Sequence, residues 1–377
     1  MFTGVLNSGF GHSVRFIAII EKLKQIQDIP SACIVPDCMH KFIKSNLSTR
    51  QCELFNLYQC NSLINKQNGN IKKILPPQDK STVKKLSSST VLLNDFIPKF
   101  NQLTNLFSKN LITSCLYHGD LFNNANDSSQ VSSFKKLITN TASKHNIFFH
   151  INLEAPENIP DMKCEYIPIP IVTRQVTTPQ TTVKKLLGLK EDEKFILIHA
   201  GSAVMENVYR DLHDFYSAVN NMSSDYRIVV ASALENNHFS FHPRIIRAPL
   251  FSNGIDLVDA SEIVISKPGM GILQDCIATS KPLLFLPGDF AERDLKIELL
   301  NKILLGNLPI IRKINTANLD AAVKKCINLE GLYTDGYAKI PRNGAEIIAN
   351  AVNILLKSKK EHLEEAVLMI KKLSKFI

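Results

Sequence analysis

Two short stretches of the chain put glycines where a backbone could close around an anion. The first is Gly9-Phe10-Gly11-His12, which follows the apolar run Met1 to Leu6 and precedes SVRFIAIIEKLKQIQ. The second is ISKPGMGILQDCIATSKPLLFLP, residues 265–287. There Gly269 and Gly271 separate the apolar run EIVIS from a segment carrying Ile272, Leu273, Cys276 and Ile277 at helical spacing. Glycine lets a chain turn sharply and lets a ligand come close to the backbone. A helix that starts just after such a turn offers free N–H groups that favour negative charge. A third turn, Ala200-Gly201-Ser202, closes the run FILIHAG and would add backbone donors of the same kind.

None of these is a named phosphate motif. Gly4 and Gly9 have the spacing of a P-loop, but Phe10 stands where the lysine belongs; Gly9 and Gly11 begin a GxGxxG fingerprint, but Val14 holds its third position. The side chains nearby suggest proton chemistry. His12 follows a glycine turn, where a neutral imidazole can accept a proton near neutral pH, or where it can simply cap the helix or touch a phosphate. Asp95 ends the run VLLND and could orient His12 or act as the base itself; Asp120 and Glu154 also end apolar runs. Arg15 and Lys267 are cations beside the two turns, with solvated side chains as the alternative. Asp275, about one turn beyond Gly271, is placed in the first turn of its helix. There it could accept a ribose hydroxyl or merely complement the helix dipole, a contribution below about 1 kcal/mol. His199 reads as structural.

Such turns work only if strands and helices hold them. The first half reads as strand, glycine loop, helix, then strands at Ala32–Val35, 90–95, 110–118 and 147–154, with SSFKKLITNTASKH as a helix before the last. Residues from about 45 to 85 are polar and irregular, with Pro76-Pro77 marking a loop. Residues 156–182 hold five prolines and a Thr-rich stretch and read as the inter-domain linker. The alternation restarts with 195–201, a helix near 207–221, then strands at 227–232, 245–249, 262–266 and 282–287. Beyond Asn315 the pattern is helical to the end. Strands alternating with helices predict parallel sheets. The organisation predicted is an N-terminal domain over 1–165, a second α/β domain over 166–350 and a C-terminal helix over 351–377. That last helix has Leu363, Val367, Ile370 and Leu373 on one face. It is expected to pack on the body, with a basic peripheral membrane contact as the alternative.

Composition narrows the function classes. The chain has 377 residues, enough for two domains, with 45% hydrophobic and 21% charged residues. The formal charge is +9, which fits nucleic acid, an anionic membrane or anionic small molecules, or reflects lysine-rich coding bias alone. The lysines come in scattered pairs, and aromatic residues are only 7% with no Trp, so nucleic acid is not expected as a partner. The eight cysteines form no CxxC and no Cys/His cluster of zinc spacing, so neither a metal nor a disulfide framework is expected. No signal peptide or membrane span is read, and the expected location is the cytoplasm.

At this point the residues resemble a family. GSGFGHSVRF resembles the N-terminal glycine loop of GT-B glycosyltransferases, in particular the branch of the N-acetylglucosaminyl transferase that makes lipid II. It is also similar to the glycosyltransferase-like domain of arabinokinase-type proteins. ASEIVISKPGMGILQDCIATSKPLLFLPGDFAERDLKIELL is similar to that family's donor-site segment. The resemblance implies an α/β protein of two facing Rossmann-like domains, the nucleotide-sugar site in the cleft between them and the last helix returning to the first domain. It implies a glycosyltransferase of hexosyltransferase type that takes a nucleoside diphosphate sugar, UDP-sugar favoured, and a small-molecule, lipid or glycan acceptor. No cofactor is implied, and no DxD motif is present. A sugar-nucleotide hydrolase or epimerase, or a non-catalytic nucleotide-sugar-binding protein, is the alternative. Carried over residue by residue, Gly269, Met270, Gly271 and Ile272 would face the diphosphate, Asp275 the ribose and Glu292 the sugar hydroxyls. Phe251 falls where the family contacts the base. Gly9, Gly11, Arg15, Gly201, Ser202 and Lys267 complete the donor set. Arg293 departs from the family's glutamine.

Overall fold

Among the described residues, every strand pairs with its neighbours in parallel. The structure is a computed structural model. It describes residues 1–7, 9–47, 51–56, 77–97, 106–118, 128–156, 159, 161–200, 209–231, 239–288 and 291–374. The chain divides into two units, one built from 1–172 with 342–377, the other from 173–341.

Among the described residues the first unit holds seven strands: β1 (Phe2–Leu6), β2 (Ser31–Val35), β3 (Glu53–Asn56), β4 (Val91–Asp95), β5 (Ile112–His118), β6 (Ile147–Ile151) and β7 (Glu165–Ile169). Their order is β3-β2-β1-β4-β5-β6-β7. The chain therefore builds outward from β1 in one direction, then jumps back and builds outward in the other. The inner strands are buried on both faces and largely apolar rather than alternating, because both faces are covered. Phe2, Leu6, Cys33, Val35, Val91 and Leu93 pack into one core. Val5, Ala32, Ile34 and Leu92, the residues between them, pack into a second core on the opposite face.

Helix 10–26 and the C-terminal helices 344–357 and 363–371 share the first of those cores, through Phe16, Ile20, Ile348, Val352, Val367 and Ile370. The tail thus returns to the first unit, as the resemblance implies. Its entry point is pinned. Gly344 donates its N–H to the carbonyl of Ile171 at 3.0 Å, and a methyl group there would run into the carbonyl oxygens of Pro170 and Ile171.

Two parts of this unit depart from the sequence reading. The stretch read as irregular contains β3 and most of helix 77–87, and helix 37–46, just ahead of it, has no counterpart in the sequence reading. The proline-rich linker contains β7, whose Pro168 is tolerated because β7 is an edge strand and owes no N–H on its open side.

Among its described residues the second unit has five strands: β8 (Phe195–His199), β9 (Arg227–Val230), β10 (Ile245–Arg247), β11 (Ile263–Ser266) and β12 (Leu283–Phe285), in the order β10-β9-β8-β11-β12. Its order also reverses beside the first strand of the sheet. Helices 180–186, 212–221, 254–260, 270–279, 291–303, 316–328 and 330–338 belong to this unit. The segment that enters it is tied down by Asp256, which is 2% exposed and accepts from the N–H of Thr177 at 2.8 Å and its hydroxyl at 3.0 Å.

Gly344→Ala is expected to cost about 1–3 kcal/mol, because the obstructing atoms are backbone and cannot swing aside. Gly331→Ala, in helix 330–338 with open space around it, should be neutral or stabilising by about 0.5–1 kcal/mol. Urea denaturation of both variants checks this. Equal midpoints would mean that the tail is not held at Gly344.

Candidate functional site

The carboxyl ends of β1 and β4 are neighbours, with Leu6 beside Asp95 in the ladder. This is where the strand order reverses, so the connections leave in opposite directions and open a crevice between them. Gly9 makes the turn out of β1 with φ 118° and ψ 145°, a conformation essentially confined to glycine. Helix 10–26 starts at once, with no side-chain cap and no acidic residue in its first turn. Its leading amides are thus left without the usual capping partner and face an uncompensated dipole.

Three predicted residues meet here. The Nδ1 of His12 lies 3.0 Å from the Oδ1 of Asp95. Arg15, one turn further along the helix, donates through Nη2 to both oxygens of Asp95, at 2.8 and 3.1 Å. The same Nη2 is 3.0 Å from the Nδ1 of His12. Asp95 is 1% exposed and Arg15 4%, whereas the His12 side chain is 19% exposed and remains open to solvent on one side. Burial pushes the Asp95 carboxyl up, but the charges of Arg15 and His12 and their hydrogen bonds outweigh it and hold the group below its usual range. Asp95 is therefore a buried anion. The chain turns away from it through Phe96, at φ 54°, whose carbonyl accepts from the Nδ2 of Asn7 at 3.0 Å. A phenylalanine in the left-handed region is strained, and nothing in the sequence signals it.

Gly11 leaves the guanidinium of Arg15 in ordinary contact distance and is not crowded. Glu154 is partly exposed just past β6, two strands from β4 and so roughly 10 Å away. Asp120, Gly201 and Ser202 lie outside the described residues.

The second unit repeats the geometry. Ser266, the last residue of β11, pairs with His199, the last of β8, again at the reversal of strand order. The hydroxyl of Ser266 donates to the carbonyl of His199 at 2.6 Å and to that of Lys267 at 2.9 Å, which fixes the turn. Burial and the nearby charge of Lys267 push His199 down to about 4, so it is neutral at physiological pH. Helix 270–279 then begins at Gly269, with no side-chain cap and no acid in its first turn. Gly269 itself has φ −141° and no atom within 3.7 Å of where a methyl would sit. Neither its conformation nor its packing calls for glycine. Met270 and Ile272 turn their side chains inward, at 3% and 7% exposure, so only their backbone amides are available to a ligand, together with that of Gly271.

Asp275 lies six residues into helix 270–279, in the second turn rather than the first. The dipole reading of this residue therefore lapses. Burial pushes its carboxyl up from the ordinary 3.8 to about 7, with the charge of Arg174 acting in the opposite direction. Arg174 also donates from Nη1 to the carbonyl of Ser252 at 2.9 Å, which brings the loop holding the half-buried Phe251 into the same neighbourhood. Arg174 was not singled out from the sequence; its only signal is a cation closing the proline-rich stretch just ahead of the second sheet. Glu292, in the first turn of helix 291–303, pairs with the buried Lys296 one turn on. Arg293 is buried at 4% exposure. Among the described residues, no helix is long and apolar enough to cross a membrane.

The sequence matches no protein-family model and no curated protein. Solved structures do match. The Arabidopsis thaliana UGT89C1 complexed with UDP superposes with a TM-score of 0.62 at 12% identity, over 98% of this chain and 99% of that one. Phytolacca americana UGT2, complexed with UDP-2-fluoro-glucose and pterostilbene, gives 0.64 at 10% identity, over 95% and 98%. The fold is GT-B. A Listeria monocytogenes protein described as a UDP-N-acetylglucosamine 2-epimerase shares the GT-B fold as well, with a TM-score of 0.61 at 13% identity over 97% of both chains. In the GT-B frame, both glycine turns of this chain stand at the strand-order reversals of their respective sheets.

The carboxyl of Asp275 gives a test with a defined sign. Its folded pKa is raised, so between about pH 4 and pH 7 the folded state holds a proton that the unfolded state has released. Stability should fall as pH rises through that window. Asp275→Asn should remove this slope, melting higher than the parent at pH 8 and converging with it near pH 4. Parallel melting curves across the whole range would show that the carboxyl is ordinary.

Proposed function

We propose that this protein transfers a glycosyl group from a nucleoside diphosphate sugar, UDP-sugar favoured, to the hydroxyl of a small-molecule, lipid or glycan acceptor. The observation that carries the reading is the His12–Asp95 pair at a bare helix start in one unit, combined with a second bare helix start, at Gly269, in the other. The fold neighbours support it, since several hold UDP or a UDP-sugar.

In this reading the amides of Met270, Gly271 and Ile272 receive the diphosphate, and Asp275 and Glu292 take hydroxyls of the ribose and the sugar. Gly269 is open because the ligand must come close to it. Arg174 adds positive charge near Asp275. As the bond from the anomeric carbon to the phosphate oxygen breaks, its electron pair leaves with the diphosphate. Helix-start amides stabilise that charge without a metal. The acceptor oxygen forms the new bond to the anomeric carbon, and its proton passes to the Nε2 of His12. Asp95 holds the imidazole and balances the charge it gains. The location proposed is the cytoplasm, with a peripheral membrane contact as the only membrane association.

The second reading, supported by the epimerase of the same fold, is a sugar-nucleotide epimerase or hydrolase. Incubation with UDP-, GDP-, dTDP- and CMP-sugars separates the two. An epimerase or hydrolase changes the donor unaided, whereas a transferase consumes it only with an acceptor. UDP at about 100 times its Kd should stabilise the protein by about 2.7 kcal/mol. His12→Ala should lower kcat by about 10²–10⁴-fold while leaving that stabilisation in place, and EDTA should not inhibit. Full transfer by both His12→Ala and Asp95→Ala would remove the catalytic assignment and leave the fold untouched.

A further inference from the structure

We infer that Arg15 is a positioning residue, the third member of an Arg15–Asp95–His12 relay, buried at Arg15 and Asp95, that fixes which ring nitrogen of His12 is free to take a proton. This rests on the glycosyl-transfer reading for its catalytic meaning, and it reassigns Arg15 from the donor set.

The geometry poses a choice at one atom. The Nδ1 of His12 is 3.0 Å from a carboxylate oxygen and 3.0 Å from a guanidinium nitrogen, and a neutral imidazole nitrogen either donates or accepts. If Nδ1 accepted from Arg15, its lone pair would face the Oδ1 of Asp95 at the same distance, two electron-rich atoms together in a buried place. The ring proton would then sit on Nε2, and His12 could not act as a base through that nitrogen. If Nδ1 donates to Asp95, the bond is charge-assisted and Nε2 carries the lone pair. The second arrangement wins because Asp95 is an anion, and it is an anion because Arg15 is there. Nη2 spans both carboxylate oxygens, which sets the rotation of the carboxylate and turns Oδ1 toward the ring.

Arg15 is poorly placed to serve a ligand. It is 4% exposed, and its Nε is buried with no hydrogen-bond partner among the described residues. A cation meant for a diphosphate would not be sealed against a carboxylate. The partners of the relay come from two elements that the sheet order makes neighbours, helix 10–26 for His12 and Arg15 and the end of β4 for Asp95.

The test reads the proton directly and needs no activity. In protein labelled with ¹⁵N in its histidines, with His12 assigned by comparison with His12→Gln, the ring should show a protonated Nδ1 and a free Nε2 at pH 8. The opposite tautomer in the unmodified protein would overturn the proposal. Arg15→Lys keeps a counter-charge for Asp95, but its shorter side chain withdraws the nitrogen that sits between both oxygens. It should leave UDP affinity within twofold by calorimetry, shift His12 toward a mixture of tautomers and lower kcat tenfold or more with KM for the donor little changed. UDP affinity falling tenfold or more, or a turnover and tautomer like those of the parent, would overturn it. If no sugar nucleotide is turned over, the functional proposal fails while the tautomer still decides the role of Arg15.

Discussion

The reversal of strand order beside β1, and again beside β8, is the constraint on which the rest depends. Right-handed crossovers force successive parallel strands to one side of the first strand and later ones to the other. The two strands at the reversal therefore keep their carboxyl ends clear of the covering connections. The glycine turn of each unit and the strand ends beside it stand at that place. In the first unit these are the Gly9 turn, the start of helix 10–26 and Asp95; in the second they are His199, Ser266 and the Gly269 turn. Residues eighty positions apart, such as Arg15 and Asp95, meet because topology leaves their strand and helix adjacent.

The two sites are built with different electrostatics. At the first, a complete buried ion pair sits beneath a partly open histidine. A buried pair of this kind adds little net stability, since desolvating both charges costs about what their attraction returns, but removing either partner leaves a stranded charge. At the second, the carboxyl of Asp275 is pushed toward neutrality by burial, and the positive side comes from backbone amides together with Arg174. One site is balanced internally; at the other, burial disfavours the charged form of its carboxyl.

Much of this was legible in the sequence, and the failures have physical causes. The apolar runs that became β1, β4, β5, β6 and the strands of the second sheet are buried on both faces, so their hydrophobicity is continuous and easy to find. The strand β7 was hidden by Pro168, because proline speaks against a strand until the strand is known to lie at an edge. Helix 37–46 and β3 were hidden by polar residues on their outer sides. Glycine turns before helices are a local pattern, and both were found. The partnership of Arg15 with Asp95, the closeness of Arg174 to Asp275 and the strained Phe96 depend on which strands become neighbours, and one-dimensional patterning carries no such information. Asp275 was misplaced by a turn because the helix begins at Met270, directly after Gly269, rather than beyond Gly271.

The return of residues 342–377 to the first unit makes that unit discontinuous in the chain, with the whole of 173–341 inserted between its parts. On the ribosome, the inserted unit is therefore complete while the first sheet still lacks Ile348, Val352, Val367 and Ile370 from its core. The amino-terminal half, though made first, is the last to be sealed, and it waits until then with helix 10–26 uncovered along the side those residues will occupy.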